Sequence, residues 1–129
     1  MILADIGDGH HLAPGPAASY LAARAAGCPA GITSSTRTSA EQAALRAAWE
    51  ADPVHNAFAL PAGQSKHERG DALDLKPAAA AWMRVHPEYG WRFTNPDEWW
   101  HAEWFAAKDT VSGGLPAPLT PRRRTMVII

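Results

Sequence analysis

The chain has 129 residues, which suits one domain with a buried core. Its 12 lysines and arginines nearly balance 13 acidic residues, and a net charge of −1 gives no general ground for binding nucleic acid or an anionic membrane. A single cysteine, Cys28, excludes an internal disulfide and reads as a small buried residue, and no stretch is long and apolar enough for membrane insertion.

Residues 1–14 show little periodicity, and the adjacent His10 and His11 read as loop residues. The N-terminus lacks a basic region followed by an apolar run, so it is not read as a secretory signal. A helix is predicted over 15–26, with Pro16 in its first turn and Gly27 as its stop. Residues 31–35, rich in β-branched side chains, suit a short strand. A second helix begins at Thr38 or Ser39, because Thr38 with Glu41 and Ser39 with Gln42 each fit a capping box. Leu45, Ala48 and Trp49 share one of its faces, and Asp52-Pro53 ends it. Residues 56–60 form a strand or an extended loop, and Pro61-Ala62-Gly63 a turn.

Ala72–Leu75 reads as a strand, with Ala72 and Asp74 on one face and Leu73 and Leu75 on the other. A third helix starts at Pro77, directs Ala78, Ala81, Trp82 and Val85 to the core, and closes at His86-Pro87. Strands follow over 91–94 and 99–105, the latter bringing Trp99, His101, Glu103 and Phe105 to one face. After Lys108 the chain turns rich in glycine and proline. The run Arg122-Arg123-Arg124 reads as a solvated terminal segment, and the apolar 125–129 as an edge strand or the start of a further segment. The expected organisation is one domain over 1–110 and a tail over 111–129. The expected fold class is α+β, a small, mostly antiparallel sheet carrying Asp74 and His101 with helices packed on one side.

The stretch Ser65-Lys66-His67-Glu68-Arg69-Gly70-Asp71-Ala72-Leu73-Asp74-Leu75 holds the candidate chemistry together with Glu98-Trp99-Trp100-His101. They supply two imidazoles and two carboxylates. Three protein ligands and one base make up a catalytic zinc site, which keeps its fourth position open.

Ser65, His67, Gly70, Ala72 and Asp74 fill every fixed position of the Ser-x-His-x-x-Gly-x-Ala-x-Asp motif of the zinc D-alanyl-D-alanine carboxypeptidase (VanY-like) family. Glu98, Trp100 and His101 match its Glu-x-Trp-His motif, and Arg37 with Gln42 resembles its Tyr-Arg-Ser-x-x-x-x-Gln region. Thr36 stands in place of that tyrosine, and Thr38 in place of the serine. The resemblance covers roughly residues 32–105. The group includes D,D-dipeptidases and phage L-alanyl-D-glutamate endolysins, and its fold is shared with the hedgehog amino-terminal domain.

The resemblance implies His67, Asp74 and His101 as zinc ligands, Glu98 as the base and Arg37 as the cation facing the scissile carbonyl. Local chemistry is compatible with this. Gly70 permits a sharp turn between His67 and Asp74, and Ala72 leaves room beside Asp74. Glu98, three residues before His101, has to lie in a turn after Asn95-Pro96 to share its side. Ser65 orients the motif loop or contacts substrate, and Gln42 binds substrate or caps its helix. Glu103 is expected to support or pair, Lys66, Glu68, Arg69 and Asp71 to lie at the rim, and the tryptophans to form core and cleft wall.

Two functions compete. The resemblance implies a zinc metallopeptidase cutting peptidoglycan stem peptides, at the terminal D-Ala-D-Ala bond or at an internal L-Ala-D-Glu bond. Lacking a recognisable signal, such a protein would be made in the cytoplasm and reach the cell wall through a phage holin or a virion. The alternative is a non-catalytic zinc-containing module that binds the wall or a protein; it would need neither Glu98 nor Arg37. Oligomeric state is not legible.

Overall fold

The computed structural model describes residues 2–112 and 126–128. The fold is α+β, with three helices and two small antiparallel sheets rather than the one expected. Among the described residues no helix is long and apolar enough to cross a membrane.

The first sheet is built on a hairpin that sequence reading missed. Strand β1 (Ile2–Gly7) pairs antiparallel with β2 (His10–Leu12), so His10 and His11 lie on a strand and not in a loop. Gly7, Asp8 and Gly9 all have positive φ, which joins strands by a tight turn compatible with their right-handed twist. The strand β7 (Met126–Ile128) adds to the far side of β1 as an edge. Arg122, Arg123 and Arg124 lie outside the described residues.

Helix α1 (Pro14–Ala25) has proline at its start and is followed by Gly27 in a positive-φ conformation. It packs on strands of both sheets and buries Ala17, Tyr20 and Ala23. Ser19 ties it to β5 (Tyr89–Arg92): its hydroxyl donates to Tyr89 O at 2.5 Å and accepts from Trp91 Nε1 at 3.0 Å, so a buried hydroxyl and a buried indole are both satisfied. Cys28 is buried, as expected.

The second sheet has the order β3 (Ile32–Ser34), β4 (Ala72–Leu75), β6 (His101–Asp109), β5. Every β4 side chain is buried. Leu73 and Leu75 join the core with Tyr89, Trp91 and Ala102. Each such fully buried aliphatic side chain contributes roughly 1.5–3 kcal/mol.

Helix α2 (Ser39–Ala51) starts with the Thr38–Glu41 capping box; Thr38 Oγ1 accepts from Glu41 N at 3.1 Å and Glu41 accepts from Thr38 N at 2.9 Å. Its inward residue is Gln42 and not the Leu45 face; Leu45 is exposed. Helix α3 (Pro77–Arg84) buries Ala79, Ala80 and Met83; Trp82 packs against the core as expected, while Ala78, Ala81 and Val85, also expected inward, are exposed. A run of four alanines carries no phase information, and Met83 decides the orientation. Strand β5 lies two residues before its expected position, and β6 begins at His101, which leaves Trp99 exposed in the preceding turn.

Candidate metal centre

The ladder of the second sheet assembles the site. Ser34 pairs with Asp74, and Asp74 pairs with His101, so one row across β3, β4 and β6 carries a hydroxyl, a carboxylate and an imidazole. Two pairs further along, the small Ala72 stands opposite Glu103.

His67 reaches this row from a short 3-10 helix, Lys66–Arg69. Ser65 caps that helix by accepting His67 N at 3.2 Å, so it orients the motif loop. Gly70 ends it at φ 77°, a left-handed conformation that glycine adopts without steric cost. A side chain at Gly70 would also meet Ala13 N at 2.6 Å, in the connection between β2 and α1.

Three potential ligand atoms converge. His67 Nε2 and His101 Nδ1 each lie 3.1 Å from Asp74 Oδ1, and 3.2 Å from one another. The outer ring nitrogens are committed elsewhere. His67 Nδ1 donates to the carbonyl of Ser35 at 2.8 Å, and an oxygen that can only accept fixes the proton there. His101 Nε2 faces Glu103 Oε2 at 2.9 Å. With both outer nitrogens donating, the two inner lone pairs and the Asp74 oxygen form a triangle of acceptors. Such a triangle demands a proton or a cation, and His67, Asp74 and His101 can together hold a metal ion.

The electrostatics agree. Burial would raise the Asp74 pKa, but the facing His101 and His67 rings and the Arg37 charge hold it well below the carboxylate range. Burial would lower the His101 pKa, yet hydrogen bonds to Asp74 and Glu103 win and raise it. Without a metal, a proton between these atoms would satisfy the triangle. A divalent cation would displace that proton.

Arg37 secures the other Asp74 oxygen. Its Nη2 donates to Asp74 Oδ2 at 2.8 Å, Nε to Ser34 Oγ at 3.1 Å and Nη1 to Gln42 Oε1 at 3.1 Å. Three of its five N–H donors are thus engaged, and two have no partner among the described residues. Glu98 lies in the turn after Asn95-Pro96 as expected, with its N–H on Asn95 O at 3.0 Å and its carbonyl accepting His101 N at 3.3 Å. Burial, opposed by His101 and reinforced by Asp74, pushes its carboxyl above the usual range.

Arg37, His67, Asp74, Glu98, Trp100 and His101 line one cleft of about 340 Å³. Leu45, Phe58 and Leu60 form an apolar part of its wall. Glu103 pairs with Lys66 at 3.6 Å, and Lys66 lies over the Phe105 ring. Trp91 is core, and the exposed Trp99 is neither core nor cleft wall. The Gln42 side chain does not cap its helix. Sequence reading missed Ser35 as the acceptor that orients His67. It also missed the β2 contact behind it, where Ser35 Oγ meets His10 Nδ1 at 3.0 Å and His11 N at 3.3 Å. No local signal marks either, because both depend on pairing across more than twenty residues.

In comparisons with known proteins, no family model and no curated protein matches this sequence.

Proposed function

We propose that this chain is a zinc-dependent peptidase acting on the peptide stems of bacterial peptidoglycan. The observation that carries the metal part is the triangle of His67 Nε2, Asp74 Oδ1 and His101 Nδ1, with edges of 3.1–3.2 Å and both outer nitrogens tied as donors. Ligand atoms ~2.0–2.1 Å from a tetrahedral ion stand about 3.3–3.4 Å apart, so these donors need to open only slightly. Two imidazole nitrogens and one carboxylate oxygen suit zinc, and three protein ligands leave a fourth position for water.

Bound there, zinc would supply Lewis acidity, lowering the pKa of water toward neutrality and polarising a carbonyl. Glu98 is the base on the same cleft. It would take a proton from the attacking water and return one to the leaving amine. Arg37 has two N–H donors, without a partner among the described residues, for the negative charge that develops on the scissile carbonyl oxygen. The substrate class rests on the motif resemblance, and an open cleft with an apolar wall is compatible with an extended peptide.

The test is mass spectrometry of purified peptidoglycan incubated with the protein, with and without a chelator. Loss of single terminal D-alanines identifies a carboxypeptidase, and new internal amino termini an endopeptidase. Zinc binding without any chelator-sensitive product refutes the peptidoglycan peptidase reading and leaves a zinc-containing binding module or a substrate outside the wall.

A further inference from the structure

We propose that Gln42 is a positioning residue for the metal centre, acting through Arg37 on Asp74. The proposal rests on the metal reading above. Gln42 is 1% exposed, so almost none of its amide is available to a substrate. Both ends of that amide are used: Oε1 accepts from Arg37 Nη1 at 3.1 Å, and Nε2 donates to Leu60 O at 2.8 Å. These partners set the amide's orientation, because only its oxygen can face a guanidinium and only its nitrogen a carbonyl.

The consequence lies at Asp74. A carboxylate beside a metal can bind through one oxygen or both. Arg37 Nη2 holds Oδ2 at 2.8 Å, while Oδ1 faces the two histidines, so the guanidinium selects one oxygen for the ion. Arg37 can do this only if its plane is fixed. Ser34 fixes it at Nε and Gln42 at Nη1. Gln42 also joins this plane to Leu60, so a single buried amide sets both the cleft wall and the ligand geometry.

The full chain is tested with zinc and with cobalt(II), whose visible bands report coordination number and geometry. Zinc affinity is read by competition with a chromophoric chelator. Wild type that binds neither metal at one equivalent overturns the zinc reading itself, before Gln42 is considered. Given binding, Gln42→Met is expected to weaken zinc about tenfold, the low end for residues that orient metal ligands, and to shift the cobalt bands. Made in an Arg37→Met background, the same change is expected to add less than about twofold, because its route to Asp74 is already gone. Losses that multiply across the two backgrounds, or unchanged cobalt bands in Gln42→Met, overturn the proposal. Gln42→Glu keeps an oxygen opposite Arg37 Nη1 and serves if Gln42→Met does not fold. It loses the Nε2 donor to Leu60 O and sets a carboxylate beside both that carbonyl and Arg37, so it is also expected to shift the cobalt bands, and wild-type bands there also overturn the proposal.

Discussion

Removing the Glu103 carboxylate should weaken metal binding without touching a ligand. His101 offers Nδ1 to the centre only while Nε2 carries the proton, and Glu103 Oε2 holds that proton at 2.9 Å. Outer partners of this kind are worth about 10–100-fold in metal affinity, or roughly 1.4–2.7 kcal/mol. The Glu103 side chain is 19% exposed and shares its charge with Lys66, so water and the ammonium absorb part of the loss. Glu103→Gln keeps an accepting oxygen and removes the charge, and about a tenfold loss is expected. Glu103→Ala leaves the ring free to turn and should approach a hundredfold. Chelator competition at pH 7.5 measures both, and a metal-free melt checks the fold. Equal affinity in wild type and both variants would refute the claim that the outer hydrogen bond selects the Nδ1 lone pair.

Saturating zinc at about 100 times its Kd should stabilise the protein by ~2.7 kcal/mol, read as a chelator-reversible shift in urea unfolding; no shift would count against a folded-state metal site. Glu98→Gln should keep stoichiometric zinc and lose about two to four decades of hydrolysis. In the metal-free protein, the raised pKa of His101 gives stability that is complete below about pH 6.5 and lost as pH rises through its folded value. Urea titrations of chelated protein at pH 6 and pH 9 should show that loss, and greater stability at pH 9 would contradict it. Gly70→Ala combines a strained φ of 77° with a 2.6 Å approach to Ala13 N, and should cost about 2–4 kcal/mol by urea unfolding. A cost below 1 kcal/mol would mean that the loop relaxes freely.

Much of the local structure was legible because its causes are local. Thr38 and Glu41 cap α2 through contacts three residues apart, and Pro16, Gly27 and Pro77 mark helix ends through their own backbone preferences. The β1–β2 hairpin was missed although Asp8-Gly9 is a turn signal, because its strands are short and the adjacent histidines read as loop. The α3 face was not legible, because alanines at 78–81 fit any phase. Nor was the inward turn of Gln42, a polar residue buried by partners at Arg37 and Leu60.

The sequence by itself determined which residue types stand at the candidate centre, and that Gly70 permits the return from His67 to Asp74. Only the tertiary structure decided which atoms meet. Asp74 and His101 are 27 residues apart and become neighbours through the β4–β6 register, where a slip of one residue would turn His101 to the other face. The choice of Nε2 on His67 and Nδ1 on His101 comes from Ser35 and Glu103, which take the opposite nitrogens. Motif spacing specifies residues along a chain, whereas a proton's place on an imidazole depends on the acceptor that folding brings to it.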